Sequence, residues 1–96
     1  MRTNRREKDK NMTYNLASDA QTLNENAKNL ARARQSLIEE LDAINVYEER
    51  YQASEDENLK KVLSHNRDEE KEHAAMLILY LRENDPEFDK KFTEHD

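Results

Sequence analysis

The stretch HNRDEEKEHAAM, residues 65–76, decides how the chain is read. On either side of it apolar residues recur in steps of four and three, the period of one helix face: Leu59 and Leu63 before it, Leu77 and Tyr80 after it. Asn66, Glu70 and His73 continue that series through the stretch, so a carboxylate and an imidazole stand where leucines are expected. Burying an unpaired carboxylate costs several kcal/mol. These groups therefore face solvent, pair with one another, or hold a metal ion.

The preceding segment carries a matching stripe. Leu30, Ala33, Leu37, Glu40, Ile44, Tyr47 and Tyr51 follow each other at three or four residues, with Ile38 and Leu41 on the same broad face. Thr22 with Glu25 reads as a capping box that starts this first helix, and Ser54 with Glu57, in QASEDEN (52–58), as a second box that starts the next. Val62, Met76 and Leu81 widen the second stripe. The second helix ends before Pro86, because proline disfavours helical geometry in the residue preceding it. Asp85 as N-cap and Pro86 in the first turn then open a short third helix, with Phe88 and Phe92 spaced i, i+4. The expected fold is all-α, an antiparallel two-helix hairpin with a short C-terminal helix. Residues 1–18 are polar and aperiodic and are expected to form a flexible or disordered tail, leaving residues 19–96 as one helical hairpin domain.

Composition narrows the function classes. The chain has 96 residues, 40% of them charged, with no glycine, no cysteine and one proline. Without glycine, phosphate-cradling loops and tight hairpins are poor expectations. Without cysteine, disulfides, thiol catalysis and thiolate metal sites are excluded. A net charge of -6 argues against nucleic acid as a partner and favours cations. The basic start MRTNRREKDK is followed by no apolar run, so no secretory signal and no membrane segment are expected, and the composition is compatible with a cytoplasmic protein. One hairpin leaves much of each apolar face in water, so two copies are expected to pair as a four-helix bundle.

Glu70 and His73 form a Glu-x-x-His unit, which projects both side chains from one helix face one turn apart. Di-metal carboxylate bundles take a Glu from each of two helices and a Glu-x-x-His from each of the other two. This chain holds one copy of each half, Glu40 and Glu70 with His73, so a symmetric dimer would supply the full set. Carboxylate with imidazole suits a transition metal better than magnesium or calcium. Glu-x-x-His also arises by chance in charged helices, and Glu69, Glu70 and Glu72 offer several ways to write it. The spacing alone therefore leaves a metal site and a solvated, ion-paired surface both open. Tyr47 reads as a packing residue or as a hydrogen-bond donor or redox neighbour of the site. His65 reads as a surface group or as support for a ligand. Arg67, Asp68 and Lys71 read as a solvated face, and His95 as part of a frayed end.

HNRDEEKEHAAM (65–76), IEELDAINVYEER (38–50) and LREND (81–85) together resemble the encapsulated ferritins, small ferritin-like proteins held inside encapsulin nanocompartments. The resemblance covers about residues 30–92. It implies a ferritin-like four-helix bundle formed by dimers, arranged in a ring that is typically a decamer, with the encapsulin shell protein as partner. It implies a ferroxidase that oxidises Fe²⁺ to Fe³⁺ with dioxygen at a di-iron centre between subunits, its ligands falling on Glu40, Glu70 and His73. An acidic site where iron enters falls on Glu39 and Asp42, the latter an Asp in place of the family's Glu; calcium or other divalent metals are expected to occupy it as well. Tyr47 matches a tyrosine beside the metal centre and His65 a histidine near it. Val46 departs from the family, which can carry a tryptophan there. The terminal FTEHD carries no targeting peptide, so the sequence is expected to be truncated or cut from a fusion with the shell protein. The rival expectations are a non-catalytic helical oligomerisation module and a di-metal protein with peroxide or manganese chemistry.

Overall fold

The computed structural model describes residues 24–96, and these form three helices and no strand. Helix α1 spans Glu25–Ala53, α2 spans Glu57–Asn84 and α3 spans Pro86–His95. Neither long helix contains glycine or proline, so nothing interrupts the hydrogen-bond ladder over 29 and 28 residues. The expected tail, residues 1–18, and Thr22 lie outside the described residues.

The helix ends correct one sequence expectation. Asn24 caps α1: its Oδ1 accepts the Ala27 N–H at 2.7 Å. Asp56, not Ser54, caps α2, its Oδ1 accepting the Asn58 and Leu59 N–H groups at 3.0 and 3.3 Å. Ser54 instead closes α1, donating its N–H to the Arg50 carbonyl while its Oγ accepts the Asp56 N–H. The physical reason is length: a carboxylate two residues nearer the helix reaches the orphan N–H groups of the first turn, and a serine hydroxyl behind it does not. Asp85 behaves as expected. Its N–H bonds the Leu81 carbonyl to end α2, and its side chain accepts the Phe88 N–H to start α3, with Pro86 in the first turn.

The long helices pack antiparallel. Asn26 at the start of α1 reaches the Asn84 carbonyl at the end of α2, and Arg67 bonds Glu48 nearer the turn. The buried core is small: Ala33 from α1, with Leu63, Ala74 and Leu81 from α2. Leu81 is only 2% exposed, although the stripe placed it at the margin. Ile38, Leu41, Leu59, Val62 and Met76, which the periodicity assigned to apolar faces, stay exposed. A layer of two helices covers one narrow strip on each; Ile38, Leu41, Val62 and Met76 lie at its margins, and Leu59 lies on the strip but in the first turn of α2. Helix α3 leans on α2 through Arg82, whose Nε donates to Asp89 at 2.6 Å and whose guanidinium lies 4.7 Å from the Phe92 ring centre. Phe88 and Phe92 meet edge to face at 5.2 Å. No described helix is long and apolar enough to cross a membrane.

Candidate metal centre

Glu40 sits midway along α1, and Glu70 and His73 sit midway along α2, far from any fraying end. The antiparallel register brings the three together. His73 Nδ1 lies 3.1 Å from Glu70 Oε1 on its own helix and 3.5 Å from Glu40 Oε1 across the hairpin. One donor atom from each residue falls within 4.8 Å of the others. Donors held about 2.1 Å from a single ion are separated by roughly 3–4 Å, so the two imidazole–carboxylate spacings suit a common cation. Oxygen donors with one nitrogen suit a transition metal, and the three leave part of its coordination sphere open.

The electrostatics fit the same use. The Glu40 carboxyl is pushed above its ordinary value, first by its hydrogen bond to Glu70, then by burial and by the Glu70 charge. Glu70, accepting that hydrogen bond, is held below the ordinary range. The same hydrogen bond thus pushes the two carboxyls in opposite directions. His73 is raised, mainly by its hydrogen bond to Glu70, with the Glu40 and Glu70 charges adding to it and burial opposing it. His73, raised in this way, supplies the counter-charge to the two carboxylates, and a cation bound here would compete with its proton.

The cluster lies open on one side. A groove of about 440 Å³ runs beside Glu40 and His73, lined by Ser36, Met76, Leu77 and Tyr80. Met76 is 62% exposed, and Val62 on the same flank of α2 is also in water.

The other sequence candidates stand outside this cluster. Tyr47 is half-buried on the Glu40 face of α1, but seven residues further along, about 10 Å at 1.5 Å per residue. His65 is exposed and pairs with Glu69 at 3.8 Å on its own helix. Glu39 and Asp42 are exposed, and Glu39 accepts a hydrogen bond from Gln35.

Arg67 is the residue that sequence reasoning misplaced. Its side chain is only 19% exposed, and it is a bridge between the helices rather than part of a solvated face. Nη1 donates to Glu48 at 2.9 Å and Nε to Asp68 at 3.0 Å, while the guanidinium lies 5.2 Å from the Tyr51 ring centre. Tyr51 within the α1 stripe was the available signal, since an arginine opposite a tyrosine has a flat face to stack on.

Comparison with known proteins places the chain among relatives. The chain is 48% identical over 75 residues to the encapsulated ferritin-like protein of Rhodospirillum rubrum, covering 78% of this chain and 51% of that one. It is 46% identical over 59 residues to the encapsulin nanocompartment cargo protein EncC of Myxococcus xanthus, covering 60% of this chain and 45% of the relative. It therefore spans about half the length of these relatives. Among solved structures, protein ne0167 from Nitrosomonas europaea matches with a TM-score of 0.72 and 48% identity, over 78% of this chain and 82% of that one. The EncFtn-like family model matches residues 15–95, which takes in the capped hairpin, the Glu40–Glu70–His73 cluster and α3. With the helices, the cluster and the match all falling on the same residues, this chain belongs to the EncFtn-like family.

Proposed function

We propose that the chain is a ferroxidase whose site is completed by a second copy of itself. Fe²⁺ is the substrate; Glu40, Glu70 and His73 from each of two subunits bind it, and dioxygen oxidises it to Fe³⁺ for mineral storage within an encapsulin compartment. The observation that carries this reading is the convergence, across two helices, of Glu40 with the Glu-x-x-His pair. One chain offers three ligands, too few for two iron ions. A two-fold partner laid over the open groove doubles the set to four carboxylates and two imidazoles and covers Val62 and Met76.

Each ferrous ion gives up one electron. Dioxygen accepts the electrons with protons from the site and from water, and leaves as peroxide or water. Carboxylates stabilise the ferric product by their charge, and imidazole adds affinity for a transition metal. Ring assembly, iron passing by Glu39 and Asp42, and delivery to a shell extend the reading from the family resemblance and from the names of the relatives.

The test is aerobic addition of Fe²⁺ while ferric absorbance and oxygen consumption are followed. Parent protein is expected to oxidise iron well above the buffer rate, and His73→Ala and Glu70→Ala to fall to that rate. Equal rates in parent and variants would overturn the site. Sedimentation with and without metal is expected to show tighter pairing when metal is present. Identical assembly in both conditions, with no oxidation, would instead favour a plain helical interaction module.

A further inference from the structure

The metal site needs the two helices held in one register to a fraction of an ångström, and the core around it does not supply that alone. Ligand geometry tolerates roughly 0.5 Å, whereas a slip of one residue along a helix moves a side chain by about 1.5 Å. The buried contacts of the hairpin are alanines and leucines, and apolar contact is non-directional. Among the described residues, two polar contacts join the helices outside the site itself. One is the Asn26–Asn84 hydrogen bond at the far end, at 3.4 Å. The other is the Arg67–Glu48 ion pair at 2.9 Å.

We propose that Arg67 is a positioning residue for the metal site: by clamping Glu48 of α1 to α2 it fixes the register that sets Glu40 opposite Glu70 and His73. Arg67 lies one turn before Glu70 on α2, so what holds Arg67 in place holds the Glu-x-x-His pair. Its partner lies two turns beyond Glu40 on α1. The guanidinium is fixed from three directions, by Glu48, by Asp68 and by the Tyr51 ring, which Lys60 covers at 4.5 Å. A planar fork held this way has directional bonds and little freedom, which a lysine ammonium lacks. Arg67 touches neither the iron substrate nor the reacting atoms, so its role is carried entirely through the positions of Glu40, Glu70 and His73.

The inference rests on the metal-site reading, and the experiment separates the two. Co²⁺ is titrated into metal-free protein while its visible absorption is followed, with thermal unfolding measured on the same samples. Parent and His73→Ala come first. Binding by the parent and loss in the variant support the site, whereas equal binding sinks the site reading whatever Arg67 does. Arg67→Met is then expected to weaken Co²⁺ binding about tenfold or more and to alter the spectrum, the range seen when groups that orient metal ligands are removed. Arg67→Lys is expected to recover part of the loss. Glu48→Ala, which suits a helix and keeps the chain foldable if Arg67→Met does not fold, is expected to match Arg67→Met; the double variant should be no worse than either single. Arg82→Met removes another ion pair, the one tying α3 to α2, and is expected to lower the melting temperature while leaving Co²⁺ binding at the parent level. Parent-like binding in Arg67→Met and Glu48→Ala would overturn the proposal. So would an equal loss in Arg82→Met, because the effect would then be one of stability alone.

Discussion

His73 and Glu40 face each other across the hairpin, Nδ1 to Oε1 at 3.5 Å, although 33 positions separate them in the chain. The contact is the cross-helix link of the candidate site, and it forms only while α1 and α2 stay paired. The Glu70–His73 contact at 3.1 Å is intrahelical and needs only one helix turn. The candidate site is therefore a reporter of the tertiary fold.

On the proposed reading, protons and metal compete for this cluster. His73 is raised from its ordinary value of 6.5, so a bound cation would compete with its proton. A raised value in the fold gives stability that is complete below the unfolded value and lost as pH rises through the folded one. On the His73 account, metal-free protein thus loses stability as pH climbs past 6.5, while metal affinity grows over the same range. Glu70 is lowered and acts in the opposite sense at acid pH, so the comparison belongs above 4.5. The melting-temperature gain on adding Zn²⁺ is expected to widen from pH below 6.5 to pH above it. A constant gain would contradict His73 as a ligand.

Glu40→Gln removes one of two crowded charges yet keeps a hydrogen-bonding group facing Glu70. Metal-free Glu40→Gln is expected to melt at or above the parent temperature near neutral pH, and to gain nothing from added metal. Such a trade of stability against binding marks a ligand held for function. A variant that melts lower without metal and still responds to it would point to a structural carboxylate.

Leu81 and Met76 are both large and apolar, at 2% and 62% exposure. Leu81→Ala leaves a cavity and is expected to cost about 3 kcal/mol in denaturant unfolding. Met76→Ala is expected to change the unfolding of an isolated chain little and to weaken self-association in sedimentation, because Met76 lies beside the open groove. Unchanged association would remove that flank from the proposed interface.

Asp56 satisfies two orphan N–H groups of α2, and Ser54 satisfies none of them. Asp56→Ala is expected to cost about 1 kcal/mol, the usual value of an N-cap, and Ser54→Ala distinctly less. Urea unfolding of the two variants checks the order; the reverse order would restore the capping box centred on Ser54.

Periodicity together with the Asp85–Pro86 signal places three helices, the break before α3, and a carboxylate and an imidazole at apolar positions of α2. These are local properties: side-chain spacing, backbone restriction at Pro86 and one-turn geometry within a helix act over a few residues. Capping was harder to read, since serine, threonine, asparagine and aspartate all suit the position and the choice rests on which oxygen reaches the N–H groups. Tertiary structure decides what periodicity leaves degenerate. A stripe shows which face turns inward but not how far the facing helix has slid, so the meeting of Glu40 with His73 depends on register. It also does not show how wide a strip two helices can cover, which is why Ile38 and Met76 stay in water while Leu81 is buried. Arg67 belongs with these. In the sequence it is one charge among many, and only the approach of α1 turns it into a clamp, because an ion pair between helices has no signature in either helix taken alone.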